Sequence, residues 1–339
     1  DAARADIQQR IPATVRNADG WAVDLFAALD ALQVAPTPGH TCAVLAVVEQ
    51  ESGYQVDPVV TGLPAIARRE ITARAAKFAI PAFVVDAALE LKSPDGRSYR
   101  QRLDHVRTEK DLSDLYEDFI GSVPLGKRLF EDFNPVRTAG PMQVNIAYAE
   151  QQVKQRRYPY AMRGSLRDEL FSRRGGLYFG AAHLLDYDAG HEDMLFRFAD
   201  FNAGQYASRN AAFQAAVATL AHTPLVPDGD LFRRGAANDA PGQTEQALRT
   251  IGARLRLSDA DIRRDLQMEK SAAFTDTALY RQVMSSADAA SGRAVPRAMI
   301  PRIRLEGPKI SRRLTTDWYA HRVDGRYRQC LQRGGAPPA

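Results

Sequence analysis

No stretch of the 339-residue chain approaches the about 18 consecutive apolar residues that a membrane-spanning helix needs; the longest, Cys42 to Val48, is far too short. Cysteine is scarce. The two present, Cys42 and Cys330, lie far apart and match no zinc or redox spacing. They could pair in an oxidising compartment, tying the tail to the 42–48 run, or Cys42 could be only a buried small residue at the head of that run. A basic stripe interleaved with aromatics is also missing. The net charge is +4 and the pI about 9.1, but the arginines are scattered, so no nucleic-acid partner is expected. The mildly basic surface is either simply solvated or suited to an anionic envelope polymer. His-Glu-x-x-His does not occur. His183, Asp186, His191, Glu192 and Asp193 therefore read as solvated helix-end charges rather than a metal centre, and neither metal nor cofactor is expected. There is no fixed-period repeat. The sequence starts at Asp1 without Met or a signal peptide, so it is expected to have been processed or trimmed.

What is present is helical. Apolar residues make up 45% of the chain and charged residues 25%, the balance of a soluble globular protein of one large or two modest domains. Trp21, Leu25, Phe26, Leu29 and Leu32 recur at three- and four-residue steps behind Asp19, a candidate N-cap. Thr41 is the candidate cap of the next helix, which reads as buried on all sides and ends at Gly53. Further periodicity predicts helices near 64–77, 80–92, 109–120, 124–132, 141–155, 166–173, 176–187, 192–200 and 207–221. Thr108–Asp111, Ser165–Asp168 and Ser258–Asp261 have capping-box form. Extended structure is expected only around Asp95–Tyr99. Pro224, Pro227, Asp228 and Gly229, then Gly235 to Gly242, form a polar break. Beyond it, helices are expected near 243–256, 259–269, 274–286 and 308–322, then a frayed end from Gly334. Trp318 and Tyr319, with Arg312, Arg313 and Arg322, fit a C-terminal helix with one packed face. The expected fold is mostly α. It comprises a domain over 1–225, interrupted by a helical subdomain at about 60–135, and a helical extension over 226–339.

Three short segments carry the chemistry. Glu51 and Ser52 follow the apolar helix. The C-terminal end of a helix carries partial negative charge, and that field plus partial burial disfavours a carboxylate. A raised carboxyl pKa suits protonation of a glycosidic oxygen. Glu49 lies about 160° away around the helix, so the two glutamates cannot both face one cleft. In the second segment, Gly140 to Asn145, Gly140 permits unusual backbone angles and Pro141 suits a first helical position. Gln143 and Asn145 offer amides for sugar hydroxyls and acetamido groups, and Met142 an adaptable apolar wall. The third segment, Phe201-Asn202-Ala203-Gly204, joins two helices. Taken singly, each segment also reads blandly: a surface glutamate, a helix start with a core methionine, an ordinary connector.

In this order the segments resemble the lytic transglycosylases of the soluble-Slt type, which have a lysozyme-like catalytic domain. The family's Glu-Ser motif is matched by Glu51 and Ser52, and its Gly-x-Met-Gln motif by Gly140, Met142 and Gln143. Its Gly…Tyr helix is matched by Gly176 to Leu185, and its Ala-Tyr-Asn-x-Gly motif in part by Phe201 to Gly204. The continuation Met142-Gln143-Val144-Asn145 is similar to specialised members that open the wall for envelope-spanning machines, so a machinery partner is implied as well. The resemblance covers roughly 40–58 and 138–215. It departs from the family in the long helical span between Glu51 and Gly140, and in Phe201, which stands where the family has tyrosine. Tyr148, Tyr178 or Tyr206 could supply the missing hydroxyl. The whole chain also resembles a poorly characterised family of proteobacterial envelope lipoproteins. That resemblance implies a periplasmic protein anchored to the outer membrane through a lipid upstream of Asp1.

The resemblance implies that the partner is the glycan strand of peptidoglycan and that no cofactor takes part. Glu51 would act as both acid and base in cleaving the MurNAc–GlcNAc β-1,4 bond, with 1,6-anhydroMurNAc formed. Ser52, Met142, Gln143, Asn145, Tyr178, Phe201, Asn202 and Tyr206 would hold substrate. The rivals are a lysozyme-type hydrolase on the same fold, a non-catalytic peptidoglycan-binding or scaffolding protein, and a metal enzyme built on the His183–Asp193 group.

Overall fold

Helices fill most of the chain in the computed structural model, which describes residues 2–122, 134–233, 240–306 and 314–334. The fold is mostly α. Among the described residues the only sheets are two antiparallel strand pairs, Thr138–Ala139 with Val144–Asn145 and Arg304–Leu305 with Leu314–Thr315. No helix there is long and apolar enough to cross a membrane. The helix expected near 124–132, most of the Gly235–Gly242 stretch, Arg312 and Arg313, and the tail beyond Gly334 lie outside the described residues.

All three capping boxes form. Asp111, Asp168 and Asp261 return a carboxylate to the backbone N–H of Thr108, Ser165 and Ser258. A fourth box, Ser98 with Gln101, starts the short helix Tyr99–Leu103 and was not legible beside the turn that precedes it. Two cap assignments shift. Asn17, not Asp19, caps the helix Ala18–Ala31: its side chain accepts from Gly20 N at 3.2 Å while Asp19 occupies the first turn. The next helix, Pro38–Glu51, begins ahead of Thr41. Pro38 is its first residue, where a missing N–H costs nothing, and Thr37 Oγ1 accepts from His40 N at 3.2 Å. Thr41 is therefore inside the helix, fully buried, and its hydroxyl has no partner. The helix expected from 141 starts instead at Ile146, because 138–145 folds into a hairpin first.

By internal contacts the described residues form two compact units. The first contains the chain up to Pro36 and from Val48 to Ala181. In it, Ala2–Arg10 packs on Ala18–Ala31, whose Trp21, Leu25 and Leu29 are buried. Glu169, 2% exposed, gathers the 158–174 segment by accepting from Tyr158 Oη (2.7 Å), Arg163 N (2.9 Å) and Arg174 Nη2 (2.7 Å). The same unit carries the inserted helices Leu63–Lys77, Ala82–Glu90, Tyr99–Leu103 and Glu109–Ser122.

The second unit contains Thr37–Val47, Ala182–Glu306 and the C-terminal helix Thr316–Arg333. Its core joins Ala207–Ala221, Gln243–Leu255, Asp259–Leu266 and Ala278–Ser291 through Phe213, Val217, Leu248, Ile262, Phe274 and Val283. Phe213 stacks on Tyr280 with centroids 5.7 Å apart and meets Phe274 edge-on at 5.2 Å. Burying each such side chain stabilises by about 1.5–3 kcal/mol. Leu231 and Phe232, in the described part of the polar break, belong to this core. By contacts, then, the chain divides elsewhere than near residue 225. Cys42 and Cys330 form a disulfide with Cα atoms 5.5 Å apart, which fastens the segment Thr37–Val47 to the helix Thr316–Arg333 inside this unit. On the latter helix Tyr319, Ala320 and Val323 are buried and Trp318 is exposed, giving the single packed face expected.

Candidate functional site

Glu51 is the last residue of the helix Pro38–Glu51. Every residue from Cys42 to Val48 is buried, whereas Glu51 is half-buried at the end of that solid rod. The rod stops because the next residues leave helical geometry. Ser52 is buried and turns its hydroxyl back to Val48 O at 3.0 Å, a carbonyl that also accepts from its backbone N–H, so the polar side chain is satisfied within its own helix end. Gly53 and Tyr54 then both take left-handed angles, with φ of 57° and 63°. Glycine does so freely, but tyrosine does so at a cost. The Tyr54 ring, edge-on to Trp21 at 5.4 Å, holds that turn in place. Glu51 is thus presented from a defined helix end rather than from a loose loop.

The Gly140–Gln143 segment is in the same unit as Glu51 and is a tight hairpin turn. Gln143 N donates to Gly140 O at 2.9 Å. Gly140 has φ of 78°, and a Cβ there would sit 2.0 Å from Leu170 O, so only glycine fits. The turn is seated on the helix Arg173–Leu185 by two more glycines: a Cβ on Gly176 would strike Pro141, and one on Gly180 would strike Met142 Sδ at 2.2 Å. Met142 is fully buried in that seat. Gln143 itself is left-handed, with φ of 52°. Its amide is held at both ends: Oε1 accepts from Thr138 Oγ1 at 2.9 Å and Nε2 donates to Gly140 O at 3.2 Å. Asn145, exposed, caps the following helix by accepting from Tyr148 N at 3.2 Å. Tyr178 is 1% exposed and packs edge-on to Tyr158 at 5.2 Å, inside the core beside this seat.

Phe201, Asn202 and Tyr206 belong to the second unit. Phe201 packs against His183, ring centroids 5.1 Å apart. Asn202 Oδ1 accepts from Thr316 Oγ1 at 2.9 Å. Gly204 ends the helix Met194–Ala203 with φ of 112°. Tyr206, 8% exposed and left-handed, meets Tyr187 edge-on at 5.2 Å and receives the Arg209 guanidinium over its ring at 4.4 Å. Beneath them Asp200 accepts from Tyr187 Oη (2.9 Å) and Ser208 N (2.6 Å). Burial pushes the Asp200 carboxyl up to about 6, and it pushes the His183 imidazole down to about 4. Both groups are part of the packing around the connector. Among the described residues, no three His, Cys, Asp or Glu side chains are placed to share a metal ion.

The sequence pattern did not point to Thr138, which orients Gln143, to Thr316, which holds Asn202, or to Trp21, which backs Tyr54. Each acts across a gap in sequence that periodicity does not bridge. Gly176 and Gly180 did carry a signal: two glycines four apart face one side of a helix, where another backbone can come close.

Residues 14–333 match the family model described as "Protein of unknown function (DUF1615)". The chain is 52% identical over 326 residues to the "Uncharacterized protein YaiW" of Escherichia coli (strain K12), covering 96% of this chain and 88% of that protein. No solved structure matches.

Proposed function

We propose that this chain, which belongs to the DUF1615 family, is a peptidoglycan lytic transglycosylase with a lysozyme-like core and Glu51 as its only acid/base. The observation that carries the reading is the setting of Glu51: a half-buried carboxyl at the end of a helix whose residues from Thr41 to Val48 are all buried. Such a placement gives one acid a fixed direction.

Glu51 protonates the glycosidic oxygen between MurNAc and GlcNAc, and the bond breaks through an oxocarbenium-like state. The carboxylate so formed removes the proton of the muramyl 6-hydroxyl, which closes on the anomeric carbon and leaves a 1,6-anhydro end. One carboxyl serves both steps, unlike the two-carboxylate glycosidases. Gln143 is the best-placed sugar-binding residue, since its amide is already oriented by Thr138 and by Gly140 O. Asn145, exposed at a helix start, is a second contact. Met142 and Tyr178 are buried and work from behind, holding the Gln143 turn. Ser52 fixes the helix end that carries Glu51. The resemblance also assigns Phe201, Asn202 and Tyr206, which lie in the second unit, to substrate. The disulfide supports a periplasmic location, because such bonds persist in oxidising compartments. A lipid anchor upstream of Asp1 and a partner in envelope machinery go with the same proposal.

One observation favours a second reading. Phe201, at the family's tyrosine position, packs on His183 and has no hydroxyl to offer a carboxyl. A glycan-binding protein without turnover follows if that hydroxyl is essential.

The test is digestion of purified sacculi with mass spectrometry of the products. Glu51→Gln should lower release of anhydromuropeptides by roughly a hundred- to ten-thousand-fold, the usual worth of a positioned acid/base, with the thermal midpoint unchanged. Water-added reducing ends would mean a hydrolase. Sacculus binding by the unmutated chain with no product would select the non-catalytic reading.

A further inference from the structure

Trp21, 2% exposed, touches two groups from distant parts of the chain. The Tyr54 ring meets it edge-on at 5.4 Å, and the Arg173 guanidinium lies 5.7 Å from its ring centroid. That guanidinium is itself fixed. Its Nε donates at 2.5 Å to Oδ2 of Asp24, which follows Trp21 by one turn of the same helix. The two side chains are only 25% and 20% exposed, so the charge-assisted bond is largely shielded from water. Gly20 leaves the room that the guanidinium occupies: a Cβ there would sit 2.6 Å from Arg173 Nη1.

Each end of this contact leads to the candidate site. Tyr54 stands three residues beyond Glu51 and is left-handed, with φ of 63°. A tyrosine keeps that conformation only where its surroundings hold it. Arg173 is the first residue of the helix Arg173–Leu185. Gly175 wedges that helix start, since a Cβ there would lie 2.0 Å from Glu169 O. Gly176 then receives Pro141 and Gly180 receives Met142, the residues just ahead of Gln143. A continuous run of contacts thus joins the end of the Glu51 helix to the Gln143 turn, through Tyr54, Trp21 and Arg173, all within the first unit.

We propose that Trp21 and Arg173 are positioning residues that hold the end of the Glu51 helix in register with the Gln143 turn. The role rests on the reading of Glu51 as acid and Gln143 as sugar contact. A sugar held at Gln143 reacts only if its glycosidic oxygen comes within hydrogen-bond reach of the acid. Trp21 and Arg173 do not touch the sugar: the indole is buried, and the guanidinium is taken up by Asp24.

Two measurements on the full chain test the link. Hydrogen exchange needs no turnover. Gln55 N–H donates to Ser52 O at 3.1 Å in the Tyr54 turn, and Gln143 N–H to Gly140 O at 2.9 Å in the other turn. Arg173→Met, similar in length but uncharged, should speed exchange at Gln55 as well as at Gln143, by about tenfold. Trp21→Phe should do the same at both, while Leu112 N–H in the inserted helices stays unchanged. Turnover of soluble, uncrosslinked peptidoglycan strands is the second measurement, made below the thermal midpoint of every variant. In either variant kcat should fall about ten- to a hundredfold, the effect of roughly 1 Å of misplacement, with KM within about twofold. The double variant should be no slower than the slower single one, because both break one link. Asp24→Asn, which keeps the side-chain volumes and loosens only the guanidinium, should show the same pattern at about threefold. Exchange that quickens only on the mutated side overturns the proposal, as do effects on kcat that multiply in the double variant. Product lost in Glu51→Gln but formed at the full rate by Arg173→Met overturns the positioning role alone. Absence of product from the unmutated chain overturns that role and the transglycosylase reading together.

Discussion

The helix Ala82–Glu90 buries none of its nine residues, and Phe83 on it is 72% exposed. The helix Ala207–Ala221 buries eleven of its fifteen, including the polar side chains of Ser208, Arg209, Asn210 and Gln214. Both segments are rich in alanine and apolar residues, and either would be predicted helical. The difference lies in what surrounds them. Around Ala207–Ala221 three further helices supply apolar faces and the loop at 224–233 supplies polar partners. Gln214, for example, bonds Asp228, Thr244 and the backbone of Gly229 and Asp230. Among the described residues, Ala82–Glu90 has one layer of neighbours, with an apolar pocket on one side and exposed Phe83 and Val84 on the other. Helix formation is local, but burial needs a second surface.

Substitutions can break this contrast. The largest effect is expected from Phe213→Ala, which empties the centre of the filled core and should cost about 3–5 kcal/mol by denaturant unfolding; a cost under about 1 kcal/mol would mean the core is loose there. Replacing both Cys42 and Cys330 by Ser should cost about 2–5 kcal/mol, again in the second unit. The inserted helices, which carry no disulfide, should keep their protection from proteolysis. Asp200→Asn sharpens the contrast through pH. Burial raises the Asp200 pKa from 3.8 to about 6, so between those values the folded chain holds a proton that the unfolded chain has lost. Stability from this group is therefore greatest below about pH 4 and is lost as the pH rises through about 6. Relative to the Asn variant, the unmutated chain should gain about 2 kcal/mol on going from pH 6.5 to 4. His183, lowered from 6.5 to about 4, works the opposite way: its contribution is full above 6.5 and is lost as the pH falls through 4. The two nearly cancel until one is removed. A pH-independent difference between the two chains would show that Asp200 ionises normally. The smallest effect is expected from Phe83→Ala, within about 0.5 kcal/mol, as for an exposed site.

The candidate site was legible in outline. The buried helix before Glu51, its end near Gly53, the Gly140 turn and the connector at Gly204 all show in residue type, because glycine and apolar runs have strong local consequences. Less legible was the state of each side chain. The family resemblance points to Met142 and Tyr178 as sugar contacts, yet both lie in the core. Pro141 was read as a helix start and sits in a hairpin, because pairing of 138–139 with 144–145 competes with the helix and wins. Asn145, read as a donor for acetamido groups, is also the cap that starts the helix at Ile146. Pro224 to Gly242 has the composition of a linker, but Leu231 and Phe232 within it complete a core.

By itself, then, the amino-acid order determined that the chain is helical, where three helices begin through Ser and Thr boxes, and which run would be wholly buried. These depend on interactions within about four residues. Only the tertiary structure decided that Cys42 meets Cys330 across 288 residues, that Gly176 and Gly180 seat the Gln143 turn, and that one alanine-rich helix is buried while another lines an apolar pocket. Each of these needs two distant surfaces to come together, and a periodic pattern on one surface says nothing about which other surface will cover it.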